Sequence, residues 1–170
     1  MTMFFDIFSG IGGFALGAYR AGLHFNKHYF SEIDEYAVQV YQKRFPEAEP
    51  LGDIRNVDYR KLPEGEWIVT GGFPCQPHSI AGKKKGAGDE RDLWPECARM
   101  LRELRPAIAL FENVPGLFIS NRGEFFNRIL SDISTSGYDA EWQTISASEI
   151  GAPHIRNRVW IVCYPSNMGG

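Results

Sequence analysis

The stretch Met3-Phe4-Phe5-Asp6-Ile7-Phe8-Ser9-Gly10-Ile11-Gly12-Gly13-Phe14 sets the terms for the rest of the chain. Met3 to Phe8 is apolar apart from Asp6, as expected of a strand covered on both faces. Glycines then break the run, and a helical stretch follows from Phe14 towards Ala21, closed by Gly22. Strand, tight turn and helix in that order open a parallel α/β sheet.

Outward from this unit the alternation repeats. Asn26 to Ser31 reads as a second strand, and Asp34 caps an amphipathic helix, Glu35–Phe45, that stops before Pro46. A short third strand lies near Pro50-Leu51, just before Gly52-Asp53-Ile54, and a fourth is Trp67–Thr70. Asp92 caps a helix over Leu93–Leu104, Ala107–Phe111 is a fifth strand, and Gly137 ends a helix that begins at Gly123. Tyr138–Ser146 and Arg158–Tyr164 then alternate as a strand pair around Gly151-Ala152-Pro153. The pattern predicts a three-layer α/β fold: a Rossmann-like, mostly parallel twisted sheet with a terminal antiparallel strand pair. No repeat or linker divides it, so residues 1–170 are expected to form one domain.

The hydrophobic share of 44% and charged share of 23% are those of an ordinary soluble domain. No apolar run reaches the length of a membrane span, and Met1-Thr2-Met3-Phe4-Phe5 lacks the basic flank of a signal peptide. The three cysteines, Cys75, Cys97 and Cys163, form neither a CxxC pair nor a disulfide framework, and no metal site is expected. A reducing, cytoplasmic setting follows. A net charge of −3 argues against tight stand-alone binding to nucleic acid, which needs cations against phosphate. Lys83-Lys84-Lys85 and the Arg156/Arg158 pair are the local exceptions.

Ligands of an open α/β sheet bind beyond the carboxyl ends of its strands. Phe8–Gly13, Glu32, Asp53, Cys75 and Glu112 all fall at such ends, which points to an enzyme. Gly10-x-Gly12-x-x-Ala15, with acidic Glu32 at the end of the second strand, fits a cofactor bearing a ribose. Taken alone, the turn allows NAD or S-adenosylmethionine, and also a glycine turn kept only for tight packing. Ile33 could pack on an adenine or lie in the core.

Cys75 stands between Pro74 and Pro77, which stiffen the backbone on both sides. A thiol on a rigid turn beyond a strand suits a nucleophile, although a free cysteine in a tight loop has the same local sequence. Residues 80–91 carry too many glycines and charges to pack, as in a mobile loop. Glu112 ends an apolar run, where an acid is costly to bury unless paired or protonated. Arg156 and Arg158 flank Asn157 and are expected on one face of a strand, a pattern suited to clamping an anion or to plain solvation.

These residues fall into ordered blocks: Asp6-Ile7-Phe8-Ser9-Gly10-Ile11-Gly12-Gly13-Phe14, Glu32-Ile33-Asp34, Gly52-Asp53-Ile54, Gly72-Phe73-Pro74-Cys75-Gln76-Pro77-His78-Ser79, Phe111-Glu112-Asn113-Val114, and Gly151-Ala152-Pro153-His154-Ile155-Arg156-Asn157-Arg158. In this order the blocks resemble the catalytic part of the C5-cytosine DNA methyltransferases, over nearly the whole chain. The resemblance implies S-adenosyl-L-methionine as cofactor, lined by Phe8, Gly10, Ile11, Gly12, Glu32, Ile33, Asp53, Ile54 and Pro74. It implies double-stranded DNA as substrate, with the target cytosine flipped out of the stack. Cys75 would attack C6 of the base, Glu112 would engage N3, and Arg158 with Arg156 would hold the base. Gln76, Ser79, Asn113, Lys83 and Arg91 would face the substrate, with the 80–91 loop closing over it.

Two positions depart from the family: His78 replaces the usual Phe, and His154 the usual Gln. Family members continue beyond this point into a target-recognition region and a segment that completes the cofactor pocket. The expectation is an enzyme either active as it stands or completed by a partner, with those parts supplied by a second chain or a neighbouring copy. A catalytically silent S-adenosylmethionine-binding remnant, or the same chemistry on RNA, are the alternatives that the sequence leaves open.

Overall fold

A computed structural model describes residues 1–74 and 92–166 of the chain. Its strands are β1 (Thr2–Ile7), β2 (Lys27–Ser31), β3 (Glu49–Pro50), β4 (Glu66–Gly71), β5 (Ile108–Asn113), β6 (Tyr138–Ser146) and β7 (Asn157–Pro165). The helices are α1 (Gly13–Arg20), α2 (Glu35–Arg44), α3 (Trp94–Leu104) and α4 (Glu124–Thr135). They build one seven-stranded sheet in the order β3-β2-β1-β4-β5-β7-β6. The first five strands are parallel, and β7 runs antiparallel between β5 and β6. The alternation of strands and helices and the closing strand pair are as the sequence predicts. Among the described residues, no helix is long and apolar enough to cross a membrane.

Alternation along the strands sorts side chains to the two faces of the sheet. Met3, Phe5 and Ile7 of β1 join Trp67, Val69, Ala109 and Phe111 in a core against α3 and α4. Phe4 and Phe30 point the other way, into a smaller core with Tyr41 and Phe45. Asp6 shares the face of Phe4, fully buried under α1 and α2. Thr70 and Tyr41 donate to its two oxygens at 2.8 and 3.2 Å, and the Ala15 backbone N–H donates as well. This last bond matters locally. Helix α1 starts at Gly12, which has no side chain to cap it, so a carboxylate from the neighbouring strand takes the place of the cap.

The order of strands reverses between β1 and β4, each of whose crossovers leaves in the opposite direction. A crevice opens beyond the carboxyl ends of the strands at such a switch point.

Candidate active site at the carboxyl edge of the sheet

A cavity of about 420 Å³ occupies this crevice, a volume in the range of cofactor pockets. Phe8 follows β1; Ser31 ends β2, and Glu32 and Ile33 follow it; Asp53, Ile54 and Arg55 follow β3; Gly72 and Pro74 follow β4; Leu93 precedes α3. Phe8 bends the chain sharply, with φ of 51°, a left-handed conformation that costs a non-glycine residue about 1–2 kcal/mol. Glu32 is held by backbone alone. Gly10 N–H donates to its Oε2 at 2.8 Å, and Ile33 and Asp34 N–H donate to its Oε1 at 2.8 and 3.0 Å. A carboxylate offers about four lone-pair directions, so acceptor capacity remains for a ligand hydroxyl.

At the neighbouring exit of β3, the Arg55 guanidinium grips Asp53 and holds its carboxyl below the usual carboxylate range. The Ser31 hydroxyl donates to the Gly52 carbonyl at 2.6 Å and ties the β2 exit to the β3 exit. In the glycine turn, the Ser9 hydroxyl is buried with no hydrogen-bond partner among the described residues. Such a group costs about 1–3 kcal/mol until something bonds to it. Apolar walls, an acid with spare acceptor capacity and an orphaned hydroxyl in the neighbouring turn fit a nucleoside cofactor with a polar tail.

The second half of the site lies one strand over. Glu112, near the end of β5, pairs with Arg158 of β7, Nε to Oε1 at 2.6 Å. Of the two ways to keep an acid there, the chain uses pairing. The side chains are only 25% and 19% exposed, so water screens the pair weakly. A Cβ placed on Gly72 would sit 3.1 Å from Glu112 Oε2. Gly72 therefore touches the cavity on one side and the acid on the other. Asn113 is buried and donates from Nδ2 to the Phe73 carbonyl at 3.0 Å, while its Oδ1 accepts from Val114 N–H. The backbone leading into Cys75 is thus fastened to the end of β5.

The structure brings Phe8, Glu32, Ile33, Asp53, Ile54 and Pro74 together around one cavity, and places Glu112, Arg158 and Asn113 beside it. Gly10 contributes through its bond to Glu32. Ile11 and Gly12 do not line that cavity. The Ile11 side chain is half exposed, and its carbonyl accepts from Arg44. Gly12, at φ of 87°, is a glycine because a Cβ would meet the Phe45 ring at 2.7 Å. At this position the packing alternative holds. Asn113 spends its amide on the protein's own backbone, which makes it a brace for the site.

The two arginines separate, against expectation. Only Arg158 belongs to β7, whereas exposed Arg156 lies in the preceding loop, its carbonyl accepting from Ala147 N–H. Cys75, Gln76, His78, Ser79, Lys83 and Arg91, and the 80–91 loop, lie outside the described residues. Ser9, Ser31, Arg55, Gly72 and Leu93 are site residues that the sequence reading missed. Two of them sit inside quoted blocks, where their neighbours carried the signal.

Both cysteines among the described residues are buried inside the core. Burial pushes the Cys163 thiol up to about 12 and Cys97 up as well, so neither is a ready nucleophile. Among the described residues, no cluster of histidine, cysteine or acidic side chains is placed to hold a metal ion.

A sheet of this order with a cofactor cavity at its switch point and an acid–arginine pair alongside is of the α/β methyltransferase class. The profile of the C-5 cytosine-specific DNA methylases matches residues 2–168, and the chain belongs to that family. Type II methyltransferase M1.ScrFI of Lactococcus lactis is 39% identical over 92% of this chain and 40% of its own length. Type II methyltransferase M.NgoBI of Neisseria gonorrhoeae is 38% identical over 96% of this chain and 50% of its own. The chain thus spans half or less of the length of these relatives. A crystal structure of a Spodoptera frugiperda DNMT2 mutant superposes over 99% of the chain with a TM-score of 0.81 at 22% identity, which bears on the fold alone.

Proposed function

We propose that this chain transfers a methyl group from S-adenosyl-L-methionine to C5 of a cytosine in DNA through a covalent cysteine adduct. The position of Gly72 carries this reading. One backbone residue separates the cofactor cavity from the carboxylate that would hold the base, so donor and acceptor sites adjoin.

S-adenosyl-L-methionine would supply an electrophilic methyl group. Phe8, Glu32, Ile33, Asp53 and Ile54 would bind it, with Glu32 accepting from ribose hydroxyls. Glu112, held by Arg158, would engage N3 of a cytosine flipped into the site. Withdrawing electron density there favours addition of the Cys75 thiolate to C6. The C5–C6 π pair would move to C5, which would take the methyl group as its bond to the sulfonium sulfur breaks and S-adenosylhomocysteine leaves. Loss of the C5 proton restores the double bond and expels the thiolate. Asn113, through its bond to the Phe73 carbonyl, would steady the backbone that leads towards Cys75. Reading of the target sequence is proposed for a second chain, in keeping with the net charge of −3, which argues against tight binding to DNA by this chain alone.

The test is covalent trapping on duplex DNA carrying 5-fluorocytosine, with the chain alone and with candidate second chains added. Fluorine at C5 blocks the last elimination. A denaturant-resistant adduct that disappears in Cys75→Ser, while cofactor affinity stays within about twofold, is the expected result. An adduct that survives Cys75→Ser overturns the mechanism. Full adduct yield from the chain alone removes the second chain from the proposal.

A further inference from the structure

Part of the cavity wall, beside the β2 exit that carries Glu32, is a three-residue turn, Ile54–Asn56, with Asp53 as its cap. Ile54 seats one side of that turn in the main core, beside residues of β1. β3 ends at Pro50, and a 3-10 turn has few and poorly aligned hydrogen bonds of its own. A polar anchor for its carbonyls comes from elsewhere in the chain. Arg99, in the middle of α3, donates from Nη2 to the Ile54 carbonyl at 2.7 Å and from Nη1 to the Val57 carbonyl at 3.0 Å. Its guanidinium lies 4.7 Å from the centroid of the Tyr59 ring. Glu96 and Glu103 on the same helix bond it from behind, at 2.7 and 3.4 Å. The side chain is 22% exposed, and its donors are divided between carboxylates and carbonyls.

We propose that Arg99 is a positioning residue for the cofactor cavity, holding the Asp53–Val57 wall at the distance from Glu32 that the bound nucleoside requires. The assignment rests on reading the cavity as the S-adenosylmethionine site. It falls on a helix that none of the recognised sequence blocks includes. The chemistry favours arginine specifically. Two carbonyls near the end of a short turn converge on one planar fork, and a guanidinium satisfies both while stacking on an aromatic face. A lysine brings the same charge to one carbonyl at a time. Helix α3 also puts Leu93 into the cavity and Trp94 behind Phe73, at 5.1 Å between ring centroids. The helix that follows the Cys75 segment in sequence therefore braces both walls.

The experiment compares Arg99→Met and Arg99→Lys with the wild type in three readouts. These are hydrogen exchange of the Asn56 and Val57 amides, calorimetric affinity for S-adenosyl-L-methionine, and the thermal midpoint. The Asn56 and Val57 amides donate to Asp53 and Ile54 carbonyls within the turn, so they report its closure directly. In Arg99→Met both amides are expected to exchange about tenfold faster and cofactor affinity to fall about tenfold, the scale of one charge-assisted hydrogen bond. Arg99→Lys is expected to recover the thermal midpoint but not the affinity. Unchanged exchange in a folded Arg99→Met chain overturns the proposal, as does full rescue of affinity by lysine. The exchange arm needs no cofactor. A wild type that fails to bind S-adenosyl-L-methionine would sink the reading of the cavity, while exchange alone still decides what Arg99 does.

Discussion

Asp6 and Glu112 sit on the same face of the sheet, near the exits of β1 and β5, and the fold treats them in opposite ways. Asp6 has no cation. It accepts from Thr70, from Tyr41 and from a backbone N–H, with Glu32 nearby, and burial pushes its carboxyl up to about 7. Glu112 is gripped by Arg158 and keeps a quarter of its side chain exposed. The contrast separates architecture from chemistry. An acid that caps a helix under the glycine turn can be sealed in hydroxyls, since nothing has to reach it. An acid that must meet a substrate needs a partner that fixes its geometry and an open side facing the crevice.

The sharpest way to break this contrast is Glu112→Gln. The amide keeps the size but loses the ion pair and the charge at N3, so trapping on 5-fluorocytosine DNA should slow about 10²–10⁴-fold, with cofactor affinity unchanged. An equal loss of cofactor affinity would show that the two halves are not separate. Gly72→Ala probes their boundary. Its Cβ would lie 3.1 Å from Glu112 Oε2, and Arg158 keeps that carboxylate from yielding freely. We expect kcat to fall about tenfold with the cofactor KM preserved, as for a sub-ångström misplacement of a reacting group. A raised KM with normal kcat would place the crowding in the cavity instead.

Asp6→Asn sharpens the other side, and its signature is a pH dependence. A proton on Asp6 is favoured in the folded chain, so its contribution to stability is present below the ordinary 3.8 and is lost as pH rises to about 7. His28, linked to Asp6 through Tyr41 at 2.7 Å and flanked by Tyr19 and Glu47, runs the opposite way. Burial lowers its imidazole from 6.5 to about 4, so its contribution is present above 6.5 and is lost as pH falls towards 4. The two slopes oppose each other between about 4 and 6.5. In Asp6→Asn only the histidine remains, and stability should rise by about 1–2 kcal/mol across that window, allowing for solvent screening. Denaturant titrations at pH 4.5 and 6.5 decide it. A flat profile in the variant would mean that the two groups are not what balances the wild type.

Much of this was legible in the chain itself. Strands end where glycines or acids interrupt apolar runs, and the ordered blocks contain most of the cavity residues. What stayed hidden depended on contacts that leave no pattern. The Ile54–Asn56 turn looks like any short polar loop, because its acceptors are backbone carbonyls common to every residue. Arg99 reads as one more charged position on an amphipathic helix. Arg156 and Arg158 looked equivalent by spacing, but the strand starts at Asn157 and only one of them enters the ladder. Gly12 fitted a cofactor fingerprint, while the ring of Phe45, far along the chain, sets its size limit.

The placement of β7 carries a consequence for how the molecule comes into being. β7 slots between β5 and β6, and among the described residues β6 pairs with no other strand. In a chain emerging from the ribosome, β1 to β5 can pair and form the walls of the crevice while β6 and β7 are still in the exit tunnel. Glu112 waits without its arginine until residue 158 arrives. Synthesis from the N-terminus therefore lays down the crevice first and the acid–arginine pair after it, so the two halves of the candidate site are assembled one after the other.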